Sequence, residues 1–592
     1  MIKRAMLFFS LIFLFSLLGS VSAECAGGVT VGNNISQYGI TWFFDKPYEC
    51  GTFVNGDYWV KIDSVTGIVN VIGVDPAPYE VSGSLRSGSM ANPMPGKQSF
   101  DQRAGSWASS ERIDFPFILN PGVSLVSSES WPEGAARPTA SYLKSAVVLT
   151  CLAEVPPVDS FRPAYVGDTK TIYIESQTNF ELPNLPSVVS TPEANIILPT
   201  INRVWLDHLN QTGGIYIFPV DNMANYGREL SNDVQEAACF LLLDKDASDK
   251  STVRNALIQN GIDHYWILKN GGAWPQDGGH ASGRKFPILF AGLMLGESNM
   301  KNIGKLYFPE QNLFGEDSQT FYVSQSDIDL EHNIQKITIT EFGPDYFIVG
   351  SIPSYTNLRG NYIEIIDGVG AGQIRYIEAD DAKWAGLIPP FRANLSESWN
   401  TIPVVGASTF YIRAYENEHK GLPEYGGAHV QYPERDNPSW IGPYRQGSTT
   451  SSWNGWLLAS LVLDIKDEWN NSALFDYQDR YMWALSEEGP YPDSDRSWSD
   501  FSEEMWDTYR ANYGCGWFPD DGTNAYSNGH YDCDGELVKC SWQASTCSTC
   551  TLVDSCDDYP NQRASDYDPC GLGCEETPPT QCVLTRAYWQ IV

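Results

Sequence analysis

Positive charge is scarce in this chain. Its 592 residues carry 38 Lys and Arg against 73 Asp and Glu, a formal net charge of −35. A protein that binds nucleic acid by neutralising phosphates needs the opposite balance, so that class falls away. Long apolar runs are lacking beyond the N-terminus, which excludes a polytopic membrane protein. Histidine is sparse, with 7 in all, and HExxH, GxSxG and a phosphate-cradling glycine loop are missing. Cysteine is rare before residue 515, where only Cys25, Cys50, Cys151 and Cys239 occur. No fixed-period repeat marks a solenoid. Disorder is excluded by a hydrophobic content of 42% and an aromatic content of 13%.

What is present begins with an address. Met1–Ala23 has a basic start (Lys3, Arg4), an apolar stretch Leu7–Leu18 and the small residues Val21-Ser22-Ala23. These are the parts of a secretory signal, so residues 1–23 are read as a signal peptide and the mature chain as secreted or at the cell surface. Losing Lys3 and Arg4 takes the net charge from −35 to −37. Nine of the 13 cysteines lie between Cys515 and Cys582, the density of a disulfide scaffold in an exported protein. The spacing Cys547-x-x-Cys550 is finger-like but has no clear second pair. Cys25 and Cys50 flank a predicted strand region and are placed to close a loop. Cys239, in AACFLLL, reads as a buried small side chain.

The hydrophobic period changes along the chain. Residues 24–195 hold short β-type runs such as GITWFF, YWVKI and AVVLTCL, separated by Gly, Pro, Asn and Ser, which predicts a β-sandwich. From 196 to 330 the apolar spacing becomes helical, as in RELSNDVQEAACFLLLD and STVRNALIQNGIDHYWILKN. Residues 331–412 return to strands, as in YFIVGSI and YIEIID, and read as a β-rich insertion. Helical spacing resumes over 413–510, and a Cys-rich disulfide tail occupies 511–592. The predicted fold is multidomain α+β: a sandwich, an (α/α) toroid-like helical domain with a β insertion, and the tail.

Three polar loops carry the candidate chemistry. The first is Asp221–Glu229, with Asn222, Tyr226 and Arg228. The second is Trp274–Lys285, with Asp277, His280 and Arg284 among glycines. The third runs from Tyr415 through Glu416, Glu418 and Tyr425, with Arg445 following. Asp221, Asp277, Glu416 and Glu418 are carboxylates of the kind a glycoside hydrolase pairs across a sugar ring. His280 and Tyr226 are candidate proton-transfer groups. Asn222, Arg228, Trp274, Arg284, Tyr425 and Arg445 are candidate substrate-binding residues. A plainer reading stands beside each: Asp221 as a turn residue, Arg228–Glu229 as a structural ion pair, Trp274-Pro275 as a turn former. His208 and His264 read as structural. Asp532 and Asp534 resemble part of a calcium loop without its twelve-residue pattern, and no other cofactor or metal is indicated.

The loops DNMANYGRE, WPQDGGHASGRK and YENEHKGLPEYG, set in this order of parts, resemble those of exported carbohydrate-active proteins with an N-terminal β-sandwich and an (α/α) toroid. The resemblance is one of architecture and covers roughly residues 30–510. It implies a glycan substrate and cleavage of a polysaccharide or oligosaccharide by a glycoside hydrolase with paired carboxylates. A polysaccharide lyase acting on a uronate-containing glycan is the alternative, favoured by the Arg, His, Tyr and Asn of the loops. The acidic balance works against a polyanionic substrate. A non-catalytic glycan-binding or structural protein at the cell surface or in a matrix, attached through the Cys-rich tail, is the third reading. No nucleic acid, and no membrane after signal cleavage, is expected as a partner.

Overall fold

The computed structural model describes most of residues 24–519. Residues 1–23, several short internal stretches, the span 427–448 and most of 520–592 lie outside the described residues. The signal peptide and nearly all of the Cys-rich tail therefore fall outside them.

The first part is built of strands β1 (Thr30–Gln37), β2 (Ile40–Thr52), β3 (Tyr58–Lys61), β4 (Val69–Asp75), β5 (Tyr79–Val81), β6 (Ser84–Arg86), β7 (Ser89–Ala91), β8 (Phe117–Leu119), β9 (Ser124–Ser130) and β10 (Leu143–Leu152). Eight of them join one sheet in the order β7-β9-β10-β3-β2-β4-β8, with β1 also on β2; β5 and β6 form a separate hairpin. The local cause is visible in β2. Ile40, Trp42 and Phe44 are buried while Thr41, Phe43 and Asp45 face outward, the two-residue period of a strand with one covered face. A disulfide joins Cys25 to Cys50 across this sheet, whereas Cys151 and Cys239 are buried free thiols.

The strand β10 is buried along nearly its whole length. Its alternate side chains serve two cores. Val147, Leu149 and Cys151 pack with Trp42 and Val60 on one face of the sheet. Ala146 and Val148 pack on the other face with the helical core, which contains Leu230, Leu257, Phe290 and Trp456. The sheet and the helices are thus one packed body. Arg162, in the connector between them, bridges Asp57 beside the sheet (2.5 Å) and Asp263 of the helix Ala247–Lys269 (2.6 Å).

The principal helices are Arg228–Leu242, Ala247–Lys269, Lys285–Leu295, Asn454–Val462, Ser472–Glu488 and Asp500–Tyr509. Gly261 lets two of them touch: a β-carbon there would stand 2.1 Å from the Pro287 carbonyl oxygen. After β11 (Thr320–Tyr322) the chain forms a second sheet from β12 (Thr338–Phe342), β13 (Tyr346–Ser351), β14 (Tyr362–Gly368), β15 (Ile374–Asp380), β16 (Phe391–Leu395) and β17 (Ser408–Arg413). Its order is β12-β13-β16-β15-β14-β17, and it has its own core around Phe347, Ile363 and Ile377. β18 (Pro423–Tyr425) then returns to pair with β11.

Candidate functional site

The first two predicted loops meet. They do so at two depths, one buried and one open to solvent.

The buried meeting point is Asp207, 2% exposed. The Tyr226 hydroxyl donates to its Oδ1 at 2.5 Å, and Arg284 Nε donates to its Oδ2 at 2.8 Å. His264 Nε2 lies 3.3 Å from the same Oδ2, and the indole of Trp274 donates to the Asp207 carbonyl at 3.2 Å. Burial pushes this carboxyl up, but Arg284 and His264 outweigh burial and hold it at about 2. Burial, with the Asp207 charge beside it, drives the Tyr226 phenol well above its ordinary value. Tyr226 therefore keeps its proton and donates its hydrogen bond inward to the Asp207 carboxylate. Trp274 is fully enclosed, stacked on Phe314 with ring centres 6.0 Å apart.

The open meeting point is the corner at Gly227, which precedes the helix Arg228–Leu242. Its φ of 120° and ψ of −126° suit glycine alone. The space a side chain would take is occupied: a β-carbon would stand 2.8 Å from His280 Cδ2 and 3.6 Å from Glu229 Oε2. The imidazole and the carboxylate thus converge over one glycine. Arg228 follows directly. Its Nε lies 3.6 Å from Glu229 Oε1, and its guanidinium rests 3.7 Å over the ring of Trp498, which is 42% exposed. Trp498 is fixed by its backbone N–H donating to Ser451 O at 2.9 Å. One turn along the helix stands Asp233, half-buried, whose carboxyl is raised well above its usual range by burial and then by Glu236 and Glu229. Nearby, Asn222 is 6% exposed and neither polar atom of its side chain has a hydrogen-bond partner among the described residues.

No family model, no curated protein and no solved structure matches this chain. The site is therefore read from its own chemistry.

Under the second loop sits Glu316, fully buried. Its Oε1 accepts a long bond from the Lys285 N–H (3.4 Å), and its Oε2 has no partner among the described residues. Burial and the neighbouring Asp317 raise this carboxyl to about 7. Lys285 itself is tied to Asp317 at 2.5 Å and to the Trp469 carbonyl at 2.7 Å.

The third loop lies elsewhere in the helical core. Tyr425 is 3% exposed, stacks on Tyr477 (5.8 Å) and donates to Thr449 Oγ1 at 3.2 Å. The segment that follows Thr449 reaches the helix after the first loop, where Ser452 O accepts from the Ser231 hydroxyl at 2.8 Å. Of the sequence-predicted residues, Tyr226 and Arg284 meet at Asp207, while Arg228 and His280 meet at the Gly227 corner. Trp274, Tyr425 and Arg284 are enclosed and offer no face to a ligand. Asp277, Glu416, Arg445 and the Glu418 side chain lie outside the described residues.

Sequence reasoning missed Asp207, Glu316 and Trp498. It also read Glu229 only as a partner for Arg228. Trp498 was hidden in the acidic run Asp493–Glu504, whose composition suggests plain solvated surface. His264 is buried in the helix Ala247–Lys269, and its partner Asp207 gives it a place under the site. Among the described residues, no group of three or more His, Cys, Asp and Glu is placed to hold a metal. Asp532 lies in the strand Gly529–Cys533, and Asp534 lies outside the described residues.

Proposed function

We propose that this is an exported carbohydrate-active enzyme that cleaves a polysaccharide or oligosaccharide by hydrolysis at the Gly227 corner. On this reading the first sheet is a β-sandwich and the helices form an (α/α) toroid whose loops bear the site. The observation that carries the proposal is the convergence of Glu229 and His280 over Gly227, beside an exposed Trp498 backed by Arg228. An exposed indole is the surface on which a sugar ring stacks. A hydrolase needs one carboxyl that keeps its proton and one that has lost it. Asp233 fits the first requirement, because burial and two acidic neighbours hold its proton. Glu229, 3.6 Å from Arg228 Nε, is the second carboxylate of this reading. Asp277, Glu416 and Glu418 are the further loop carboxylates of this reading, with His280 assisting proton transfer.

Elimination is less well supported. The lyase reading asks Asn222, Arg228 and Arg284 to neutralise a uronate and His280 and Tyr226 to move protons; Arg284 and Tyr226 are committed to buried Asp207, which leaves Arg228 and His280 at the corner for it.

The test is turnover of the secreted protein on a panel of neutral and uronate polysaccharides. Glu229→Gln is expected to lower kcat by at least about 100-fold. Trp498→Ala is expected to raise KM with a smaller change in kcat. Products that absorb in the ultraviolet as unsaturated uronides would overturn hydrolysis in favour of elimination. Glycan binding that depends on Trp498 without any turnover would make the protein a binding component.

A further inference from the structure

Lys285 and Asp317 serve no step at the Gly227 corner. Lys285 is the first residue of the helix Lys285–Leu295, and its side chain is 1% exposed. Its Nζ donates to Asp317 Oδ2 at 2.5 Å and to the Trp469 carbonyl at 2.7 Å. The same nitrogen lies 5.1 Å from the ring centre of Trp469 and 5.7 Å from that of Phe314. Asp317 belongs to the short helix Gly315–Gln319, and its side chain is 5% exposed. Its other oxygen, Oδ1, accepts from Asn471 Nδ2 at 3.3 Å.

A buried amine and a buried carboxyl in direct contact between aromatic rings are reactants as well as an ion pair. Water is excluded, so both charges are poorly solvated and the pair gains by losing them. A lysine desolvated beside apolar surface is the form that acts as a nucleophile. Contact fixed by a fold is worth an effective concentration on the order of 10⁵ M or more when the groups are well oriented. Asn471 Nδ2 stands at the oxygen on which negative charge develops when Cγ is attacked. Glu316, next in the chain to Asp317, has one carboxyl oxygen without a partner among the described residues. Burial, and then Asp317, push its carboxyl up to about 7. In its protonated form it brings no second anion to hold Nζ as an ammonium.

We propose that Lys285 and Asp317 join in an intramolecular isopeptide bond once the chain has folded. The shared proton moves from Nζ to Asp317 Oδ2, which leaves a neutral amine facing a neutral acid. The Nζ lone pair then attacks Cγ. The Nζ–Cγ bond forms, the Cγ–Oδ2 bond breaks, and Oδ2 departs as water with two of the three ammonium protons. The third proton stays on the amide nitrogen, so the step needs no oxidant, metal or co-reactant. The two charges vanish together, while burial, the first cause of the raised Glu316 carboxyl, remains. The bond ties the start of the helix Lys285–Leu295 to a residue 32 positions along the chain. Like a disulfide it restricts the unfolded chain, but unlike the Cys25–Cys50 bond it is indifferent to reductant.

The test is peptide mapping by mass spectrometry of the full mature chain, denatured, reduced, alkylated and digested with trypsin. The expected product is one branched peptide in which residues 285–301 and 306–336 are joined through Lys285 and Asp317. Its mass is expected to be one water, about 18 Da, below the sum of the two parts. Lys285→Arg keeps a charge pair with Asp317 but offers no amine, and it is expected to give the two parts as separate linear peptides. The wild-type map decides the matter even where a variant fails to fold. Linear peptides 286–301 and 306–336 at full mass in the wild-type chain would overturn the proposal and leave a buried ion pair. A branched peptide that persists in Lys285→Arg would overturn it by assigning the link to another residue.

Discussion

Asp207 is reached by side chains 19, 57 and 77 residues away in sequence: Tyr226, His264 and Arg284. Nothing in the run WLDHLN announces this, because an aspartate beside a histidine in a short polar stretch reads as a turn. The partners were visible as polar residues in loops or helices; their common target was not. Asp207→Asn tests the consequence. It keeps the shape but leaves the fully buried Arg284 guanidinium without its counter-charge, and it is expected to cost about 3–5 kcal/mol of stability in denaturant titration. A loss under 1 kcal/mol would mean Arg284 finds its charge partner elsewhere. Glu316 gives a second residue-scale prediction. Its carboxyl is raised from 4.5 to about 7 in the fold, so the folded state holds a proton the unfolded chain releases. The stability this contributes is complete below about pH 4.5 and is lost as pH rises through about 7, a fall of about 3 kcal/mol. The groups facing it are Arg284, Lys285 and Asp317. Glu316→Gln is expected to flatten the dependence over that window, as read from unfolding midpoints against pH. An unchanged slope would assign the titration to another group.

At the scale of elements, the two-residue alternation of Ile40–Phe44 and the helical spacing of RELSNDVQEAACFLLLD were legible because the strand has one covered face and the first turns of the helix bury Leu230, Ser231, Val234 and Gln235 on one side before its last turns become buried all round. β10 was legible as a strand for a different reason: its continuous apolar run is what a strand covered on both faces shows. What it covers on its second face was not legible, since periodicity reports burial and not the partner. Gly261 illustrates the same limit. In the sequence it is a mild defect in a helix; in the fold it is the contact point of Ala247–Lys269 with Lys285–Leu295. Gly261→Ala sets two effects against each other. Helix propensity gains about 1 kcal/mol. The new methyl would stand 2.1 Å from a backbone carbonyl and 2.6 Å from the Ala291 side chain, and neither can move without shifting a helix. Overpacking of this kind is expected to win, with a net loss of about 1–3 kcal/mol in chemical unfolding. A stabilised variant would show that the helices separate more easily than their packing indicates.

At the scale of the molecule, the sequence suggests a string of parts, and packing joins some of them. Met90, Val126 and Val148 of the first sheet, with Phe100 from the segment between β7 and β8, belong to the same core as Phe240, Leu289 and Met505 of the helices. The Asp57–Arg162–Asp263 bridge crosses the same boundary. Even the start of the Cys-rich region is held, because Trp517 is fully buried among Val323, Tyr415 and Leu422. The second sheet differs: its core around Phe347 and Ile363 is separate, and its entry and exit lie side by side. Two excisions should therefore behave oppositely. A fragment of residues 24–195 would expose Ala146, Val148, Phe161 and Tyr165 to water and leave Arg162 without Asp263. It is expected to be aggregated or unfolded, lacking the sharp near-ultraviolet circular dichroism of packed aromatics. Replacing 338–413 by a short Gly-Ser linker removes a body with its own core through two neighbouring cuts. The remainder is expected to keep a single cooperative calorimetric transition within a few degrees of the main transition of the whole chain. A soluble, well-packed 24–195 fragment would show that the shared core is dispensable to the sheet. Collapse of the chain lacking 338–413 would show that the second sheet supports the helices it interrupts.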